Sequence, residues 1–97
     1  MSVYVIAQIS IHDRDAYEKY QSRFIDVFKK FDGKLLAADV NPQVVEGVWN
    51  HEKVVLMEFA DENSFQDWAS SPDYQEIAKD RYAGSNATVL LVRSFNF

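Results

Sequence analysis

VVLMEFADENSFQDWASSPDYQEIAKDR, residues 54–81, decides the fold through its changes of period. Val54 to Phe59 is β-branched, aliphatic and aromatic, apolar on both sides of an extended chain, and reads as a central strand. Asp61 can cap a helix whose inward residues are Phe65, Trp68 and Ala69. Ser70-Ser71-Pro72 breaks that helix. Ser71 can cap a second one, with Pro72 at its first position, where a missing N–H costs nothing. From there Tyr74, Ile77, Ala78 and Arg81 recur at i, i+3, i+4 and i+7, one helical face, with Gly84 near the end. An arginine therefore closes an apolar stripe, and what it meets is the functional question this stretch raises.

Working outward, VYVIAQI (3–9) is a strand, and Asp13 is an N-cap for the helix that follows. Tyr17, Tyr20, Phe24, Val27, Phe28 and Phe31 recur at helical spacing, and Gly33 stops the helix. KLLAADV (34–40) is a second strand, interrupted at Asn41-Pro42 and resumed by QVVEG (43–47) after a kink. WNHEK (49–53) is a turn, and ATVLLVRSF (87–95) is the last strand. The order predicts an α+β, ferredoxin-like β-α-β-β-α-β sandwich in one domain over residues 1–97. Right-handed crossovers place both helical segments on one face of the sheet. Yet VVLMEF and TVLLV are apolar on both sides. The helices cover only one, so a homodimer with sheets packed face to face is expected.

Length and composition agree. The chain has 97 residues, 47% hydrophobic and 14% aromatic, enough for a core and too apolar for disorder. Its net charge of -5, with no basic cluster, excludes nucleic acid and anionic membrane as natural partners. With no cysteine, disulfides and thiolate chemistry are excluded. The opening MSVYVIAQISIHDRD lacks a basic n-region and is too short to span a bilayer, so a cytoplasmic protein is expected.

HDRDAYEKY (12–20), VVEGVW (44–49) and residues 54–81 resemble, in order and spacing, the family known as domain of unknown function 1330. The resemblance runs over nearly the whole chain and implies a dimeric α/β barrel within the ferredoxin-like class. It implies no established activity. Relatives on this fold include cofactor-free oxygenases, isomerase-type enzymes and plain binding proteins. One departure stands out: the family usually carries arginine then glycine in the second strand, where this chain has Ala38 and Asp39.

Arg81 is the first candidate site residue. A buried guanidinium needs partners, and Glu58 and Glu46 are the carboxylates expected to pair with it. Alternatively it anchors a ligand carboxylate, which its planar fork fits. Glu58 shares a strand face with Val54 and Leu56 and is a candidate proton-handling group, as is His51. Glu46 ends the kinked strand and points either into the expected cleft between sheet and helices or to water. Trp68 and Tyr74 flank the helix break and, with Tyr17 and Tyr20, are candidate walls of an aromatic pocket. His12 and His51 lie in separate loops without an acidic cluster, so no metal site is expected. The only glycines are Gly33, Gly47 and Gly84, so no phosphate loop exists, and no cofactor is expected. Two readings stand. One is a homodimer that binds a small anionic or aromatic compound, cofactor-independent catalysis included. The other is a non-catalytic structural or regulatory dimer whose inner polar residues only specify packing. An open concave site beside Arg81 favours the first; a sealed Arg81–Glu pair favours the second.

Overall fold

The computed structural model describes residues 1–95. Its elements run β1 (Val3–Ile11), α1 (Arg14–Phe28), β2 (Gly33–Asp39), β3 (Lys53–Phe59), α2 (Glu62–Ala69), α3 (Pro72–Gly84) and β4 (Ser85–Arg93). The four strands form an antiparallel sheet in the order β2-β3-β1-β4. This is the expected ferredoxin-like α+β topology, with α2 and α3 together in place of the second helix.

The helices begin where the capping chemistry places them. Asp13 accepts from the Ala16 amide at 3.3 Å, Asp61 from Ser64 at 2.7 Å, and Ser71 from Tyr74 at 3.2 Å. Each side chain satisfies an amide that the first helical turn leaves open. α1 stops at Phe28, leaving Phe31 beyond it. At its other end α3 touches the start of α1: Gly84 O accepts from the amides of His12 and Asp13. A Cβ on Gly84 would lie 2.6 Å from the Tyr17 nitrogen and 2.8 Å from Asp13 O, so only glycine lets these backbones meet.

All three helices lie over one face of the sheet. Val3, Val5, Ala7 and Ile9 of β1 and Met57 and Phe59 of β3 are buried there with Phe28, Trp68, Ile77 and Ala78. The register sorts that face into rows across the strands. Gly33, Phe59 and Val3 form one row, which Phe28 and Trp68 fill by ring packing against Phe59 at 5.9 and 5.6 Å. Ala38, Val55, Ala7 and Val89 form another, all small. On the opposite face Ala37, Leu56, Ile6 and Leu90 make an apolar row across all four strands, with no helix over it among the described residues.

Two expectations for the middle of the chain are corrected. QVVEG is not a strand. β2 ends at Asp39, where the Asn41 amide turns back to Asp39 Oδ1 at 2.9 Å, and residues 40–52 form an irregular arm with Val45 and Val48 exposed. As an edge strand β2 has no neighbour on its outer side to hold a longer segment extended. β3 also begins one residue earlier than expected, at Lys53. No helix among the described residues is long and apolar enough to cross a membrane.

Candidate functional site

A cavity of about 370 Å³ lies between sheet and helices. Its floor is the row Ala38–Val55–Ala7–Val89, and its existence follows from those small side chains, since α1 cannot sink far enough to fill the space above them. Tyr17, Tyr20 and Phe24 from α1, Phe65 and Trp68 from α2, and Tyr74 and Arg81 from α3 make the walls. Ala38 is thus a cavity position.

The wall rings form one connected set. Tyr17 and Tyr20 lie 5.7 Å apart, Tyr20 and Tyr74 6.2 Å, and Tyr74 and Trp68 4.2 Å. The Tyr20 and Tyr74 hydroxyls share a hydrogen bond of 3.0 Å. Burial, reinforced by Tyr74, raises the Tyr20 pKa well above the ordinary phenol value. Burial raises Tyr17 to about 12, although the Arg81 charge pulls the other way. Both are neutral donors at physiological pH. The buried Trp68 N–H has no acceptor among the described residues, a state that costs about 1–3 kcal/mol.

Two cations reach this apolar space. The Arg81 guanidinium lies 4.7 Å from the Tyr82 ring and 6.0 Å from the Tyr20 ring. Burial disfavours its charge, but the hydroxyls of Tyr74 and Tyr20 more than offset that and hold its proton tightly. Lys53 is 7% exposed, and its Nζ donates to Tyr17 Oη at 3.0 Å and to Gln21 Oε1 at 3.3 Å. Burial lowers the Lys53 pKa, partly countered by the charge of Glu18. Among the described residues neither cation is ion-paired: the carboxylate bridges are made by Arg14, Lys29, Lys30, Lys79 and Arg93 at the surface.

The expected partners of Arg81 are therefore corrected. Glu58 faces away from the cavity, in register with Lys34 and Tyr4 on the open side of the sheet. Glu46 is exposed in the arm, next to Gly47, whose φ of 90° shapes a turn there. His51 lies outside the cavity too. Its Nδ1 is 3.0 Å from Ser10 Oγ and its ring packs on Trp49, which bonds Gln8 at 2.7 Å. His12 is exposed. The cavity brings together Arg81, Trp68, Tyr74, Tyr17 and Tyr20, and leaves out Glu58, Glu46 and His51. It adds Lys53, which sequence reasoning placed in a turn. The missed signal was period 2: starting the strand one residue earlier puts Lys53 on the face of Val55, Met57 and Phe59.

The chain belongs to the family described as Domain of unknown function (DUF1330), whose model matches residues 2–95. No curated protein is similar enough in sequence to count as a relative. Among solved structures, the fold is shared with a protein of unknown function from Rhodopseudomonas palustris, with a TM-score of 0.82 at 16% identity over 98% of this chain and 83% of that one. It is shared with SnoaB, a cofactor-independent oxygenase from Streptomyces nogalater, with a TM-score of 0.73 at 14% identity over 99% and 95% of the two chains. A dimeric ferredoxin-like protein of unknown function from Jannaschia sp. CCS1 aligns with a TM-score of 0.74 at 10% identity over 97% of this chain and all (100%) of that one.

Proposed function

We propose that this member of the family binds a small aromatic or largely apolar compound carrying an anionic oxygen group, held in the cavity under the helices. The observation that carries this is the pair of cations, Arg81 and Lys53, in an apolar cavity without a carboxylate bridge. A cation without a counter-charge in low dielectric is costly unless something anionic joins it. Arg81 presents a planar fork suited to a carboxylate or enolate. The rings of Trp68, Tyr74 and Phe24 suit a flat apolar body. The likeness to a cofactor-independent oxygenase is one of fold, so any chemistry must come from residues lining this cavity.

The active unit in this reading is a homodimer, closed as an α/β barrel through the open sheet face. The uncovered Ala37–Leu56–Ile6–Leu90 row supports it, as does the dimeric state named for neighbours of the same fold.

Binding is tested by fluorescence titration in a Trp49→Phe background, where Trp68 alone reports. 2-Naphthoate should quench it saturably at one site per chain, and the neutral 2-naphthalenemethanol should bind at least about tenfold more weakly, a difference of about 1.4 kcal/mol. Arg81→Met should remove that preference. Absence of saturable binding by either compound would end this reading.

A further inference from the structure

Lys53 is placed as a buried amine. Its Nζ touches two neutral acceptors, Tyr17 Oη and Gln21 Oε1, and lies 4.8 Å from the centroid of the Tyr17 ring. The side chain lines both the main cavity and a smaller one of about 240 Å³. Glu18, across the smaller cavity, acts on it through charge and makes no ion pair with it. The two acceptors occupy two of the three N–H donors of an ammonium. When the third proton leaves, both hydrogen bonds survive and a lone pair appears. A lysine held by a carboxylate loses a strong partner on deprotonation; this one loses none. Its lowered pKa, caused by burial, agrees with that geometry. Arg81 lines the same cavity, and both cations act on Tyr17.

Resting on the binding reading above, we propose that Lys53 is a nucleophile for carbonyl members of that ligand class, forming an imine with an aromatic aldehyde or ketone whose carboxylate is held by Arg81. The nitrogen lone pair attacks the carbonyl carbon. A C–N bond forms, and the oxygen takes a proton from that nitrogen to give a carbinolamine. Tyr17, a neutral phenol whose oxygen already touches Nζ, donates its proton to the hydroxyl. The C–O bond breaks, water leaves, and the nitrogen lone pair completes C=N. The last proton on nitrogen returns to the Tyr17 oxygen. The balance is one amine and one carbonyl giving one imine and one water, with no oxidant or cofactor.

The probe is 4-formylbenzoate with sodium cyanoborohydride at pH 7, read by intact mass and peptide mapping. One reduced adduct per chain is expected, on Lys53, formed at least about tenfold faster than on surface lysines such as Lys29 or Lys79. Lys53→Arg and Lys53→Met should abolish the fast adduct. Arg81→Met should slow labelling by 4-formylbenzoate about tenfold more than it slows labelling by benzaldehyde, which has no carboxylate to hold. 4-Methylbenzoate, the same anion without a carbonyl, is titrated in parallel by Trp68 fluorescence. If it binds while Lys53 labels no faster than the surface lysines, the nucleophile is refuted and the binding site stands. If it does not bind and Lys53 is not labelled, both fall. The wild-type peptide map decides the matter even if the variants misfold.

Discussion

Beneath the helices Val5, Met57 and Phe59 are 1–4% exposed, whereas on the other face of the same sheet Leu90 and Val92 are 45% and 39% exposed. The two faces also differ in chemistry. The covered face holds Lys53 and looks onto Arg81 and four tyrosines. The uncovered face is aliphatic through its centre, with Glu58, Lys34 and Asp39 toward the β2 side. Ordinarily charge belongs outside and apolar surface inside. In the proposed reading the reversal separates two tasks: polar groups for a ligand are enclosed where water is scarce, and apolar groups are left out where a second copy can cover them.

The strongest way to break this comparison is to put a charge at the centre of the uncovered face. Leu56→Asp places a carboxylate in the Leu56–Ile6–Leu90 row, and a symmetric interface buries it twice. A buried unpaired charge costs roughly 3–5 kcal/mol per copy. Sedimentation equilibrium at micromolar concentration should give twice the 11.2 kDa chain mass for the wild type and a folded species of single mass for the variant. A wild-type monomer, or a variant still dimeric, would remove the assembly role of this face. The matching probe of the covered face is Phe59→Ala. Phe59 is 1% exposed and packs against Phe28, Phe65 and Trp68 at 5.6–5.9 Å. Its truncation should cost about 3–5 kcal/mol in urea unfolding, since those rings cannot all collapse into the gap.

The two faces also mark what was legible in the sequence. Periodicity gave the element order, the three caps and the break at Pro72, because these depend on local chemistry. It also grouped Glu58 with Val54 and Leu56 correctly. It did not say which side of β3 the helices cover, because both sides are apolar, and so Glu58 was assigned to the wrong side. Arg81, Trp68, Tyr74 and Tyr17 were legible because a helix break and a charged end to an apolar stripe are local signals. Lys53 was not, because a one-residue error in a strand boundary hides a side chain altogether. A pocket under the helices was legible from its aromatic walls, but its floor was not: that depends on four small residues from four strands, brought into one row only by the register.

Lys53 sharpens the comparison through pH. Its folded pKa is below the ordinary 10.5 because burial disfavours the charge. Below the folded value both states carry the proton, and the burial penalty is fully present. Between the folded value and 10.5 the unfolded chain binds more protons than the folded one, so wild-type stability rises with pH. Lys53→Met lacks this dependence. It should be neutral to stabilising by about 1 kcal/mol at pH 7, and wild type should gain on it steadily in urea unfolding up to pH 9.5. The window stops there because Tyr17, raised to about 12, favours the unfolded chain once a free phenol ionises near 10. A wild-type-minus-variant difference that falls with pH would mean that Lys53 holds its proton more tightly when folded, as in a hidden ion pair.

The smallest stability effect belongs to Arg81, the residue with the largest expected effect on ligand binding. Had it been sealed against Glu58 or Glu46, Arg81→Met would cost roughly 3–5 kcal/mol and a second change at the partner would recover part of it. The guanidinium instead rests against the rings of Tyr82 and Tyr20, contacts of about 0.5–1 kcal/mol at exposed sites, and beside the Tyr74 hydroxyl, gains that the cost of burying its charge partly offsets. Methionine keeps much of the length and apolar contact of the arginine stem. Arg81→Met should therefore lower the unfolding free energy by about 1 kcal/mol or less. Glu58→Gln should neither rescue nor worsen it, the double mutant being additive within about 0.5 kcal/mol, because Glu58 is across the sheet. A loss of several kcal/mol, partly recovered with Glu58→Gln, would join the two faces through the sheet and undo the separation of ligand side from assembly side. Additive stabilities, with the carboxylate preference of the cavity gone, would place Arg81 where its geometry puts it: spared by the fold and kept for a bound anion.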